Sequence, residues 1–187
     1  MARLIRIGLS TALVALVAAG CGGSTGVVTT AETEGLYLDI NHLKYQIEMS
    51  RYMNPADVED REYFIGLPED TAQTTGEETW FGVWVRVENT SETETHPSAD
   101  VWEVHDTQEN VYEPVELDTD INPFAYKAQD VPPKTVIPLP SSAAGQGPTQ
   151  GLLLMFKIRN ESFQNRPLEL VFSNGEGTQE GTYDLDV

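Results

Sequence analysis

One cysteine, Cys21, stands among 187 residues. That scarcity excludes a disulfide framework, a CxxC redox pair and a thiolate metal cluster. Basic residues are also few: 11 Lys and Arg stand against 30 Asp and Glu, for a formal charge of -19. A surface this acidic is repelled by phosphate instead of releasing counterions from it, which argues against nucleic acid as a partner. It is equally unsuited to unaided adsorption on anionic lipid. Long hydrophobic runs are missing too. The most apolar stretch, residues 7–19, has 13 positions, whereas a spanning helix needs about 20. What the chain does have is 40% hydrophobic and 9% aromatic residues, enough for one domain with a real core.

The first 20 residues read as an export signal, with Arg3 and Arg6 ahead of the short apolar stretch. They carry two of the 11 basic residues and no acid, so the rest of the chain is more acidic still. The tetrad Ala18-Ala19-Gly20-Cys21 resembles the lipobox of bacterial lipoproteins. That resemblance implies cleavage before Cys21 and a diacylglyceryl thioether on its sulfur, with palmitate-type chains. Two buried acyl chains, at about 0.8 kcal/mol per CH₂, hold a protein on a membrane where one would not. Residues 22–34 are small and polar without a helical period, which predicts a flexible tether. The organisation expected is therefore a signal peptide at 1–20, an anchored tether at 21–34 and one domain at 35–187.

In that domain the dominant period is two, not 3.6. Leu43, Tyr45, Ile47 and Met49 alternate with Lys44, Gln46, Glu48 and Ser50, and residues 36–40 form a shorter strand across an Asn41-His42 turn. Phe81, Val83, Val85 and Val87 line one face of a long strand whose other face holds Trp80, Trp84, Arg86 and Glu88. Leu152, Leu154, Phe156 and Ile158 mark another. Shorter strands fit around Trp102, at 111–115, 135–139, 168–172 and 183–187, with Asp106–Asn110 as a hairpin. One acidic helical turn is expected at 54–63, with Asn54 as N-cap and Pro55 first inside it. Residues 67–78 and 141–150 read as long loops. Seven to nine strands with almost no helix predict an all-β, immunoglobulin-like antiparallel β-sandwich, with a closed barrel as the alternative.

The lipobox, Ser50-Arg51-Tyr52-Met53-Asn54-Pro55, the run Trp80-Phe81-Gly82-Val83-Trp84-Val85-Arg86-Val87-Glu88-Asn89-Thr90-Ser91 and Gly151-Leu152-Leu153-Leu154-Met155-Phe156-Lys157-Ile158 stand together in this chain. In these features it resembles a family of exported bacterial lipoproteins with an immunoglobulin-like domain similar to the immunoprotective extracellular antigens. The resemblance implies a fold and a location in the cell envelope, outside the cytoplasm. It carries over no catalytic residue and no cofactor.

Tests for chemistry mostly come back empty. His42, His96 and His105 fit no H-E-x-x-H spacing. There is no G-x-S-x-G elbow and no phosphate loop, so a non-enzymatic protein is expected. Copper could be held by His42 with the thioethers of Met49, Met53 or Met155. Against this stands the plain reading, that the methionines fill the core. Calcium could sit among Asp57, Glu59, Asp60, Glu62, Glu69 and Asp70, although a solvated acidic turn explains them as well. Trp80, Trp84 and Arg86 share a strand face and, if exposed, would bind an envelope protein or stack on a glycan. If buried, they mark a strand covered on both sides. The function expected is a membrane-anchored binding or interaction module, with extracytoplasmic handling of copper or calcium as the alternative.

Overall fold

Alternating apolar residues need a second layer to bury them, and two sheets supply it for each other. The computed structural model describes residues 27–71, 74–175 and 179–187; the expected signal peptide, Cys21 and residues 22–26 lie outside them. Thirteen strands follow in order: β1 (Thr30–Ala31), β2 (Tyr37–Ile40), β3 (Leu43–Met53), β4 (Glu78–Asn89), β5 (His96–Pro97), β6 (Val101–His105), β7 (Val111–Tyr112), β8 (Pro114–Val115), β9 (Asp130–Val131), β10 (Thr135–Ile137), β11 (Leu152–Arg159), β12 (Glu169–Ser173) and β13 (Glu180–Asp184). One sheet runs β2-β3-β4-β11-β8, and the other runs β1-β13-β12-β6-β7. β10 joins the first sheet on the edge of β4 just beyond β11, and β5 pairs with β9 apart from both. Among the described strands pairing is antiparallel except for β1 on β13, and one isolated parallel bridge joins Ala125 to Leu153. The protein is an all-β sandwich.

Between the sheets lie Leu43, Tyr45, Ile47, Val83, Val85 and Phe156 from the first and Trp102, Leu170, Phe172 and Tyr183 from the second. The Trp102 ring stacks on Phe172 at 4.7 Å, and Tyr45 tilts against Phe172 at the same separation. Buried phenols need partners. The Tyr45 hydroxyl accepts from the Ala99 N–H at 2.8 Å, and the Tyr183 hydroxyl lies 2.7 Å from the Leu36 carbonyl and 2.8 Å from that of Tyr45. Burial pushes both phenols above the usual tyrosine range. Gly181 is required beneath this stack, because a Cβ there would come within 2.3 Å of the Phe172 ring.

Strand β3 departs from the simple alternation. Its register against β4 shifts between Ile47 and Met49, so Ile47 opposes Val85 while Met49 opposes Trp84. A bulge of one residue exchanges the two faces of a strand. Met49 therefore leaves the face that holds Leu43, Tyr45 and Ile47, contrary to the alternation read from sequence, and joins Met53 on the outer side. Ser50 takes the inner position and is buried there, held by the Glu34 carboxylate through both its N–H and its hydroxyl. Burial raises the Glu34 carboxyl above the usual range, against the hydrogen bonds that favour its charge.

The expected tether at 21–34 is partly fold. Ala31 is buried in β1, the Val28 carbonyl accepts from Asp39 N–H, and Thr33 donates to the Asp186 carboxylate. Other boundaries move as well. The expected strand at 111–115 divides at Glu113 into β7 and β8, which belong to different sheets. The last strand is β13, three residues earlier than its expected start at 183. The helical turn expected at 54–63 is instead an Asx turn at Asn54, whose Oδ1 accepts from Ala56 N–H, followed by a 3₁₀ turn at Arg61–Phe64. In the expected loop 141–150, Ser142 caps one helical turn, Ala143–Gln146, accepting from Gly145 N–H. The Asp106–Asn110 hairpin forms as expected, pairing β6 with β7.

Candidate functional site

A second, smaller apolar cluster lies on the outer face of the first sheet. Met53, Trp80, Trp84, Leu153 and Met155 point outward from β3, β4 and β11, and Tyr63, Leu117 and Ala125 close over them from two crossing segments. Trp84 fits because Gly82 and Gly151 leave room: a Cβ on either would come within 2.9 Å of it. Its ring meets Tyr63 edge-on at 5.4 Å and lies 5.0 Å from the Arg51 guanidinium. Trp80 meets Phe64 edge-on and has the Lys157 ammonium 5.2 Å away.

Trp80 is 3% exposed and Trp84 0%. The exposed stripe of Trp80, Trp84 and Arg86 is therefore not formed, because residues 54–71 and 115–126 cover that face. The cover ends at Trp84. Arg86, next on the same face, is half-buried and lies 3.8 Å from Glu48.

The copper set is not brought together either. His42 precedes β3 and Met53 ends it, so at about 3.3 Å per residue they stand roughly 35 Å apart. Met49 is some 20 Å from His42 by the same count, and Met53 is buried in the outer cluster. His42 stacks instead on His96, with centroids 4.9 Å apart. Among the described residues no three His, Cys, Asp or Glu side chains are placed to hold one metal ion. Asp60, counted above with the solvated acids, is buried, pairs with Arg51 and accepts from Asn54 N–H at 2.8 Å. Burial opposes its charge, but the Arg51 and Asn54 hydrogen bonds outweigh that and hold the carboxyl below its ordinary range.

The crossing segments do more than cover. Asn122, 1% exposed, donates to the carbonyls of Tyr63 and Ile65 and accepts from Phe124 N–H, and Asp118 N–H donates to the Gly66 carbonyl. Gly66 takes φ +80°, with Asp118 backbone where a Cβ would point. These bonds fix the strip 114–121 against 66–69. On the far side, Tyr126 N–H donates to the Leu153 carbonyl, and the Tyr126 hydroxyl donates to Ala99 O at 2.7 Å and lies 3.0 Å from Ser98 Oγ. Between strip and strand remains a cleft of about 860 Å³, lined by residues from both β6 and β11.

Its apolar lining comes from Trp102 and Tyr126, edge to face at 5.2 Å, with the almost wholly buried Leu153, Leu154 and Met155 of β11. Its rim carries five carboxylates, Glu69, Asp100, Glu116, Asp118 and Asp120, and one cation, Lys127. All five are exposed, and none makes an ion pair with a described residue. An apolar floor of this size with a charged rim is how sites for organic ligands are built. In the sequence Glu69, Asp118 and Asp120 read as solvated acids, and nothing there brings them together. The one signal was the run Glu116-Leu117-Asp118-Thr119-Asp120, acid at every second position beside a Pro-Val strand end.

No protein-family model and no curated protein matches the chain. Two solved structures are similar to it over 83% of its length. One is the yjhA protein from Bacillus subtilis, at 10% identity and TM-score 0.46 over 99% of that chain. The other is an uncharacterized beta-sandwich protein from Clostridium difficile 630, at 12% identity and TM-score 0.45 over 95% of that chain.

Proposed function

We propose that this is a lipid-anchored exported protein whose sandwich acts by binding, not by catalysis, and that the cleft between β6 and β11 is its binding site. The cleft carries the reading: an apolar floor reached through a rim of five carboxylates that have no ion-pair partners of their own. Anchoring rests on the Ala18-Ala19-Gly20-Cys21 tetrad behind a short charged and apolar leader. A diacyl anchor then places the cleft in the envelope without help from basic residues, which this acidic surface does not supply.

Two measurements test the two halves. Cys21→Ala should lose its acyl mass and leave the membrane fraction, and a variant that stays as firmly bound overturns the anchor. A photo-crosslinking residue at Thr119, on the cleft, should give a discrete adduct in intact cells. The same probe at Lys134, which pairs with Glu92 elsewhere on the surface, should not. Equal labelling at both positions, or none at Thr119, overturns the site.

A further inference from the structure

The cleft offers a ligand apolar surface and acceptors, and few donors. Among its lining residues Leu67, Val115 and Tyr126 are half-buried and Ile121 is 58% exposed, so apolar surface is within a ligand's reach. The Trp102 indole N–H is spent on the Ala99 carbonyl at 3.3 Å and the Tyr126 hydroxyl on the same carbonyl at 2.7 Å, which leaves Thr119 and Lys127 as side-chain donors in the lining. Acceptors abound. The five carboxylates come from three segments, at 69, 100 and 116–120. Asp100 holds Gly175 N–H through one oxygen at 2.8 Å and Asp118 holds Asp120 N–H through one at 2.9 Å, so each keeps a second oxygen for a visitor.

We propose that the ligand is a small organic cation, an apolar body carrying two or more amino or guanidino groups. This rests on the binding reading above. Such a body takes lining such as Ile121 out of water, while its charged N–H groups meet carboxylates that make no ion pair with a described residue. Carboxylates on separate segments let a second positive group add to the first. The acidic rim also concentrates cations and repels anions. A neutral glycan is a poorer match, because it needs donors as well as acceptors, and the largest aromatic ring of the cleft, Trp102, is 4% exposed. A bare metal ion is poorer too: no three of the carboxylates are placed to hold one ion, and a cleft of about 860 Å³ is sized for a whole organic molecule.

The test titrates the full-length chain, in a nonionic detergent, with diaminooctane carrying an amine at each end, and follows the heat released against a detergent-only blank. Binding should saturate, weaken with salt, and fall by about tenfold or more when Glu116 and Asp120 are both changed to Lys. Octanediol and suberate keep the body but exchange the amines for hydroxyls or carboxylates, and each should bind at least about tenfold more weakly. Diaminopropane keeps both amines on a shorter body and should also be weaker by about tenfold or more. Tryptophan emission of the double variant checks that it is folded; Glu116→Gln with Asp120→Asn replaces it if it is not. Equal binding of octanediol or suberate overturns the selection for charge, and equal binding of diaminopropane overturns the apolar contribution. Diaminooctane that binds the folded double variant unchanged sits elsewhere, which overturns the proposal. No binding of diaminooctane, with an adduct at Thr119, overturns the organic cation and leaves the cleft as a site; no binding and no adduct removes both proposals.

Discussion

Replacing Asp106 with Ala isolates one of the polar anchors of the sandwich. Asp106 is 7% exposed at the start of the β6–β7 hairpin. One carboxylate oxygen accepts from Gln108 N–H at 2.9 Å and Asn110 N–H at 3.0 Å, and the other from Asn110 Nδ2 at 2.8 Å and Asn165 Nδ2 at 3.0 Å. Hydrogen bonds to a charged group contribute about 1.5–3 kcal/mol each in mutational series. The site is shallow and water can reach some of the orphaned donors, so about 1 kcal/mol per bond, or roughly 3–4 kcal/mol in total, is the appropriate scale. For a domain of this length each kcal/mol moves the melting temperature by about 2–4 °C, giving a fall of roughly 6–15 °C. Burial opposes the Asp106 charge, but donors from Asn165, Asn110 and Ser162 outweigh it and hold the carboxyl well below the ordinary carboxylate range. In acid the unfolded chain therefore binds the proton that the native chain refuses, and stability falls with pH. The stability difference between wild type and Asp106→Ala should be full above about pH 5 and shrink as the pH drops below the unfolded carboxylate value near 4. Urea melts at several pH values measure it. A difference below roughly 1 kcal/mol at neutral pH, or one that does not change on acidification, refutes this reasoning.

Tyr45→Phe should cost about 1–3 kcal/mol, because it strands the buried Ala99 N–H while changing almost no volume; an unchanged denaturation midpoint would show that the bond contributes nothing. Trp80, Trp84 and Trp102 are each no more than 4% exposed. Native emission should therefore be resistant to acrylamide and become quenchable only on unfolding. Strong quenching in the native state would mean that the cover over the outer face opens.

The fold was largely legible because period-two alternation survives wherever a strand is long. β4 and β11, with 12 and 8 residues, announce themselves through Phe81 to Val87 and Leu152 to Ile158. What escaped was set by groups distant in sequence. The bulge in β3 brings Ser50 to Glu34 from the segment before β2, and nothing in Ile47-Glu48-Met49 marks it. In the sequence Trp80 and Trp84 fit a second buried layer and also allow an exposed stripe. The choice was made by Asn122, whose amide ties the cover to the carbonyls of Tyr63 and Ile65 some 60 positions earlier. The cleft was hidden for the same reason, since its walls come from 66–69, Asp100 and Trp102, 114–121, 126–128 and 153–155.

Strand β1 also gives the sandwich a mechanical polarity. Among the described residues it is the first strand that tension on the N-terminal segment reaches, and it is held by two residue pairs, Thr30 with Thr182 and Ala31 with Tyr183. Behind it the Glu34 carboxylate grips Ser50 and receives Asp186 N–H, tying the start of the domain to its end. On the proposed anchor, a pull on the N-terminal segment would strip β1 first and then pass through Glu34 to Ser50 in β3 and to Asp186 near the end of the chain, so the load enters the first sheet along β3 and not at the cleft.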